Sequence, residues 1–165
     1  MRFHLVDRLL DFEAGKQIRM VKNLTLAEEY LADHFPTFPV MPGVLMLETL
    51  VEAGAWLLRL TEDYRHSVIV LREVRNVKYG SFMQPGFSLV VTVDMMETSF
   101  EAPEVVFKGK GEMEGASTVS AKFTLARYNL RDRDPALEAV DNRIIDHLRS
   151  VHLVLKGDLD NPREG

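Results

Sequence analysis

Apolar and polar residues alternate with a period of two over much of the chain, which predicts a protein built mainly from β-strands. The clearest case is segment 117–128, where Val119 and Phe123 point to one side and Lys122 and Thr124 to the other. The segments predicted as strands are 16–23, 67–79, 87–97, 104–113 and 117–128. Strands this closely spaced along the chain indicate an antiparallel sheet with one buried face.

One long segment has a helical pattern instead. Residues 43–60 have apolar side chains on nearly every side of a helix, which is typical of a buried helix, and Pro42 is suited to the first turn. Such a helix would extend about 27 Å, enough to cross the face of a sheet. A shorter helix is predicted near Thr25 and Glu28, which have the spacing of a capping box. A long buried helix against about five or six strands is an α+β architecture.

The composition changes after about residue 130. Charged residues come first, and apolar residues then recur at helical spacing. Asp134 followed by Pro135 is a favourable helix start, and Gly157 is a favourable stop. The sequence therefore predicts a main domain over 1–130 and an appended helix with a tail over 131–165.

Composition narrows the classes of function. With 165 residues the chain has the length of one domain, and its net charge of -5 argues against a nucleic-acid partner. The absence of cysteine excludes disulfides, thiolate nucleophiles and Cys-based zinc sites. Asp7 and Arg8 interrupt the apolar run that a signal peptide would need, and no segment approaches the ~20 apolar residues of a membrane span. We therefore expect a cytoplasmic protein that does not enter a membrane.

Four residues of the long helix, Glu48, Glu52, Ala55 and Arg59, lie on one stripe of its surface. This stripe can be read simply as the polar edge of the helix. Alternatively, Glu48 is an acid in apolar surroundings, and burial together with the nearby carboxylate of Glu52 would raise its pKa. A carboxylic acid that stays protonated near neutral pH can donate a proton to a leaving hydroxyl group.

His34 lies in the loop before that helix, HFPTFPVMPG, where three prolines restrict the backbone. A single histidine is most often structural. A stiff loop that leads into a helix N-terminus, however, can hold a base close to the first free N–H groups of the helix. Those donors would come from Gly43 and Val44, and they could polarise a thioester carbonyl.

The other candidates for chemistry are weaker. His147 and His152 lack the spacing that places two metal ligands on one helix face, and His4 and His66 have no nearby partner in the sequence. The Gly109-Lys110-Gly111 segment lies in a strand pattern, so we interpret it as a bulge or a site of close packing. No metal or cofactor is expected.

Residues 34–48, HFPTFPVMPGVLMLE, resemble the motif of the FabZ-type 3-hydroxyacyl-[acyl-carrier-protein] dehydratases, roughly H-F-P-x-x-P-x-M-P-G-V-L-x-x-E. Residues 5–8 (LVDR) and 22–25 (KNLT) resemble further segments of that family, as does the strand region 74–86 with its terminal P-G. The resemblance covers about residues 3–128.

This resemblance implies a hot-dog fold, in which a curved antiparallel sheet wraps a long central helix. It also implies a homodimer, or a larger oligomer built from dimers, whose sheets join edge to edge. Each active site would then combine His34 of one subunit with Glu48 of the other.

The chemistry implied by the resemblance is the dehydration of a (3R)-3-hydroxyacyl thioester. His34 would remove the α-proton, Glu48 would protonate the departing hydroxyl, and the Gly43 N–H would bind the thioester oxygen. The products would be a trans-2-enoyl thioester and water. The acyl chain would be carried by acyl carrier protein or coenzyme A. The reaction would belong to fatty-acid biosynthesis or a related pathway, and it would need no cofactor.

Three positions depart from the family pattern. Glu52 replaces a glutamine, Thr37-Phe38 replaces a glycine and a basic residue, and Phe87 replaces an aspartate. Glu52 bears on the electrostatics of the site, and the other two bear on the acyl tunnel or carrier docking. The alternatives are a hot-dog thioesterase, an enoyl isomerase or a non-catalytic acyl-binding subunit. FabA-type dehydratase-isomerases have aspartate where this chain has Glu48, which favours simple dehydration.

Overall fold

The computed structural model describes residues 4–96 and 102–157. The strands are β1 (Arg8–Glu13), β2 (Gln17–Asn23), β3 (Val68–Tyr79), β4 (Ser88–Met95), β5 (Glu104–Met113) and β6 (Ala116–Tyr128). The α-helices are α1 (Gly43–Thr61) and α2 (Glu138–Lys156). Short 3-10 helices span Glu29–Leu31, Leu130–Asp132 and Pro135–Leu137.

The strands form one antiparallel sheet in the order β1-β2-β4-β5-β6-β3. Helix α1 packs against β2, β3, β4, β5 and β6, so a single helix is wrapped by most of the sheet. Trp56 of α1 is fully buried, as are Phe107 and Phe123 of the sheet. At Gly54 a Cβ atom would lie 2.8 Å from the Phe123 ring, so the glycine lets helix and sheet approach closely. The predicted α+β hot-dog arrangement is confirmed.

The elements differ from the predicted ones in two places. Strand β1 was not predicted because its pairing with β2 shifts register between Leu9 and Asp11, which breaks the alternation and leaves Leu10 exposed. The predicted capped helix after Thr25 is wrong: only the short 3-10 turn forms there, and Glu28 pairs with Lys22 instead of capping. The predicted strand 87–97 agrees with β4, although residue 97 lies outside the described residues.

Helix α2 ends before Gly157 as predicted but begins at Glu138 instead of the predicted start at Asp134-Pro135, because Pro135–Leu137 form a separate 3-10 turn. The helix packs against β1. Asp134 accepts a hydrogen bond from the Ala136 N–H at 3.0 Å, and Gly157 ends the helix in the left-handed region at φ 55°. Fully buried Asp141 fixes the start of α2 by accepting hydrogen bonds from the Ser67 hydroxyl and from two backbone N–H groups after β6. Burial alone would raise the pKa of Asp141, but these hydrogen bonds outweigh it and lower the pKa. The predicted tail beyond residue 157 lies outside the described residues.

The two glycines of β5 are sites of close packing, as the sequence predicted. A Cβ atom at Gly109 would lie 3.3 Å from the Cβ of Leu50 in α1, and one at Gly111 would lie 2.7 Å from a methyl group of Val119. The register with β6 also shifts directly after Gly111. Both glycines therefore serve the sheet and its contact with α1.

Candidate active site

His34 is held by the backbone of its own loop. Its Nδ1 lies 2.9 Å from the carbonyl oxygen of Val40, and its ring makes an edge contact with Phe35 at 4.6 Å between centroids. Because a carbonyl oxygen can only accept, Nδ1 carries the hydrogen and Nε2 keeps its lone pair in the neutral ring. Val40 and Met41 are buried and anchor the loop. The loop therefore presents Nε2 of His34 as a base.

His34 opens onto a pocket of about 310 Å³ beside the start of α1. The pocket is lined by His34, Phe35, Val40, Met41, Gly43, Met46, Tyr79, Gly80, Ser81 and Phe82. A Cβ atom at Gly43 would lie 3.0 Å from the Tyr79 ring, so only glycine lets the ring approach the helix start this closely. The first backbone bonds of α1 come from Leu45 and Met46, which leaves the N–H groups of Gly43 and Val44 without a partner among the described residues.

Glu48 lines a different pocket of about 320 Å³, together with Glu52, Ala55 and Arg59 of the predicted stripe. The lining of this pocket does not include His34. Although Glu48 is exposed in the single chain, its pKa is raised. The main cause is that nearby protein atoms displace water from the carboxyl group, and the second is the charge of Glu52. The two predicted catalytic residues thus lie in separate pockets of one chain.

Glu52 has a structural task that the sequence did not indicate. Its Oε2 accepts hydrogen bonds from the backbone N–H groups of Leu5 at 2.7 Å and Val6 at 3.2 Å, and its Oε1 lies 3.3 Å from Nδ1 of His4. These bonds tie the buried segment before β1 to α1. No ion pair joins Glu52 to Arg59 among the described residues, although their charges interact.

The segment after β3 supplies pocket residues that the sequence analysis missed. Tyr79, Ser81 and Phe82 line the His34 pocket, and the Phe82 ring meets Phe38 edge-on at 5.9 Å. Phe38 of the Thr37-Phe38 departure therefore contacts a residue that lines this pocket, although Phe38 itself does not line it. Phe87 is partly buried against the core and lines neither pocket.

The remaining histidines have local partners. His152 of α2 lies 2.9 Å from the Tyr64 hydroxyl. His66 lies 2.9 Å from a carboxylate oxygen of Glu62, four residues earlier, so the expectation that His66 has no nearby partner in the sequence is wrong. No group of three or more potential metal ligands is found in residues 4–96 and 102–157. Within the same ranges, no helix is both long and apolar enough to cross a lipid bilayer.

Solved structures with the same fold include the dehydratase heterocomplex ApeI:P from Xenorhabdus doucetiae, with a TM-score of 0.67 and 12% sequence identity. That similarity covers 82% of this chain and 90% of the other. A mutant thioesterase from Pseudomonas aeruginosa has a TM-score of 0.57 at 15% identity, covering 73% of this chain and 80% of the other. At these identities the likeness establishes the fold alone.

Proteins related by sequence have higher identity to this chain. A 3-hydroxyacyl-[acyl-carrier-protein] dehydratase FabZ from Janthinobacterium sp. (strain Marseille) is 33% identical over 135 residues, which are 80% of this chain and 85% of the relative. The protein of the same name from Albidiferax ferrireducens is 38% identical over 128 residues, covering 75% and 83%. The model of the FabA-like domain matches residues 1–122. The chain therefore belongs to the FabA-like domain family.

Proposed function

We propose that this chain is a 3-hydroxyacyl-thioester dehydratase that acts on substrates carried by acyl carrier protein, in fatty-acid biosynthesis or a related pathway. The observation that carries the proposal is the position of His34, whose free Nε2 shares a pocket with Gly43 at the start of α1. The relatives named as dehydratases support the reaction and the carrier. The absence of cysteine is compatible with a reducing compartment, and we place the protein in the cytoplasm.

The reaction is an elimination that needs one base, one acid and an oxyanion site. The N–H groups of Gly43 and Val44 bind the thioester oxygen, and this binding makes the α-proton more acidic. Nε2 of His34 takes the α-proton, and the electron pair of that C–H bond forms the C2–C3 double bond. The C3–O bond breaks as protonated Glu48 gives its proton to the hydroxyl, which leaves as water. No electrons are gained or lost, so the step requires no redox partner.

A second copy of the chain is needed to bring the acid to the base. In the part of the chain that the structure describes, β3 is an edge of the sheet that pairs only with β6, and its exposed apolar residues include Val70, Leu71 and Tyr79. A long, apolar edge of this kind can pair with a strand of another chain. Helix α2 packs near the opposite edge, at β1, which leaves β3 as the open edge. We therefore propose a homodimer that joins β3 to β3.

The two pockets lie at opposite ends of β3. Tyr79 and Gly80 at its end line the His34 pocket, and Ile69, Val70 and Leu71 at its start line the Glu48 pocket. Antiparallel pairing of two identical strands about a twofold axis sets the start of each against the end of the other. Such a dimer places the His34 pocket of one subunit against the Glu48 pocket of the second.

The competing functions differ in their products. A thioesterase of the same fold would release a free acid and the carrier thiol, an isomerase would move the double bond, and a non-catalytic subunit would only bind the acyl chain. The presence of both His34 and Glu48 argues for elimination over simple binding. The raised pKa of Glu48 supports the same conclusion, because elimination requires a protonated acid.

The test is an assay of purified protein with 3-hydroxyacyl and 2-enoyl thioesters on acyl carrier protein and on coenzyme A. We expect the protein to interconvert the two thioesters reversibly. The conversion would be monitored by the absorbance of the enoyl group and by mass spectrometry. Release of free acid would identify a thioesterase, and a 3-enoyl product would identify an isomerase. Binding without turnover would leave only the acyl-binding function.

The Glu52→Gln variant is predicted to lose activity at alkaline pH sooner than the wild type. Glu48 must be protonated to act as the acid, and the charge of Glu52 is the second cause of its raised pKa. Removing that charge lowers the pKa of Glu48, so the alkaline limb of the kcat profile moves to lower pH. The amide oxygen of the introduced glutamine can still accept a hydrogen bond from the Leu5 N–H, which favours intact folding. The measurement is the pH dependence of kcat for enoyl formation.

The control for this variant is Glu112→Gln, which removes a β5 carboxylate that pairs with Lys110 and lines neither pocket. Its alkaline limb should match that of the wild type. If the alkaline limb of the kcat profile is also unchanged in Glu52→Gln, Arg59 or another cation already offsets the charge of Glu52. The two glutamates then do not titrate as a coupled pair.

A further inference from the structure

The pocket that contains Glu48 ends at a guanidinium group that the proposed elimination does not use. Arg59 lies about three helical turns after Glu48, so the two Cα atoms are about 16 Å apart along α1. Both residues line the same pocket. Glu52 and Ala55 lie between them on the stripe, and the small side chain of Ala55 leaves room one turn before Arg59.

Arg59 is partly buried, and one of its guanidinium nitrogens has no hydrogen-bond partner among the described residues. Its Nε is buried without a hydrogen-bond partner, and no carboxylate in residues 4–96 and 102–157 forms an ion pair with it. The guanidinium carbon lies 5.3 Å from the centroid of the Trp56 ring. Burial lowers the pKa of Arg59 to about 10, against the opposing charge of Glu52, and the group is still cationic at neutral pH. A partly desolvated cation with an unsatisfied donor is stabilised by a ligand that supplies an anionic acceptor.

Glu52, the carboxylate whose charge acts on Arg59, already accepts hydrogen bonds from other groups. Both oxygens of Glu52 are occupied by the N–H groups of Leu5 and Val6 and by His4. The apolar wall of the pocket includes Ile69, Val70 and Leu71 from β3 with Leu148 from α2, and His4 also lines the pocket. The pocket thus has an acid at one end and the cation of Arg59 at the other, and between them the apolar wall faces Glu52, whose oxygens are already hydrogen-bonded.

We propose that Arg59 binds an anionic group at the far end of the acyl chain, so that the pocket selects ω-carboxyacyl thioesters over those that end in a methyl group. This inference rests on the proposed function, in which Glu48 lies beside carbon 3 of the substrate. The methylene groups contact the apolar wall, and the terminal carboxylate accepts paired hydrogen bonds from the guanidinium. Arg59 takes no part in the elimination and is a specificity-determining residue.

The experiment compares kcat/KM for matched pairs of 3-hydroxyacyl thioesters of several lengths, one of each pair ending in a carboxylate and the other in a methyl group. We expect the wild type to prefer the carboxylate at one chain length. Arg59→Met should lower kcat/KM for that substrate by about 10- to 100-fold, the effect of losing a charge-assisted hydrogen bond, and should not lower it for the methyl partner. Arg59→Lys should keep part of the preference, because it retains the charge without the planar fork.

The control variant is Arg143→Met, since Arg143 is exposed on α2 and lines neither pocket. It should leave the ratio between paired substrates unchanged. An equal loss for both substrates in Arg59→Met would mean that Arg59 only supports the fold, and would overturn the inference. Absence of preference in the wild type would do the same. If the wild type dehydrates none of the substrates, it is the proposed function that fails.

Discussion

His34→Ala and Glu48→Gln are each expected to lower kcat for enoyl formation by about 10²–10⁴, the usual contribution of a general acid or base. Alanine at position 34 removes the imidazole, whose Nδ1 is bonded to Val40 and whose Nε2 is the proposed base. Glutamine at position 48 keeps the size of the side chain but has no acidic proton to give to the leaving hydroxyl. Kinetics with the 3-hydroxyacyl thioester, measured at saturating substrate, would give the two values.

Both variants should remain folded. Glu48 is exposed in the single chain, and His34 lies in a loop anchored by the buried side chains of Val40 and Met41. Thermal unfolding would check this point. His66→Ala and Glu112→Gln are matched controls that alter the same residue types outside the two pockets, and they should retain nearly full turnover. Wild-type turnover in either His34→Ala or Glu48→Gln would end the proposed mechanism.

The features that the sequence predicted well are those encoded by neighbouring residues. The start of α1 follows from Pro42 and Gly43, and the helix itself follows from apolar residues spaced for burial on all sides. The end of α2 at Gly157 depends on one residue that tolerates positive φ. Such signals act over a few positions, so they can be read without knowledge of the fold.

The features that it missed depend on contacts between distant segments. Tyr79 reaches the helix start because β3 ends there, and nothing around position 79 in the sequence indicates this. Glu52 bonds to backbone N–H groups of Leu5 and Val6, which every residue except proline carries, so no side-chain pattern marks the contact. Strand β1 was missed because the register shift beside Leu10 removes the alternation on which the prediction relied.

A mixture of His34→Ala and Glu48→Gln subunits is expected to regain activity that neither variant has alone. In the proposed dimer, one site of the mixed species combines both substitutions, and the other combines the intact His34 of one subunit with the intact Glu48 of the second. Random pairing of equal amounts makes half of the dimers mixed, so activity should reach about one quarter of the wild type. Because each parent is lowered by about 10²–10⁴, this gain would be large.

The reciprocal mixture separates a shared site from one built within a single chain. The double variant, with His34→Ala and Glu48→Gln in the same subunit, is mixed with an equal amount of wild type. If sites are shared, every mixed dimer is inactive and about one quarter of the activity remains; if each chain builds its own site, about one half remains. Mixed dimers are isolated with two different affinity tags to establish that subunits have exchanged. Confirmed mixed dimers of the single variants that stay inactive would contradict pairing across β3. The separation of His34 and Glu48 into two pockets of one chain leads us to expect the shared site.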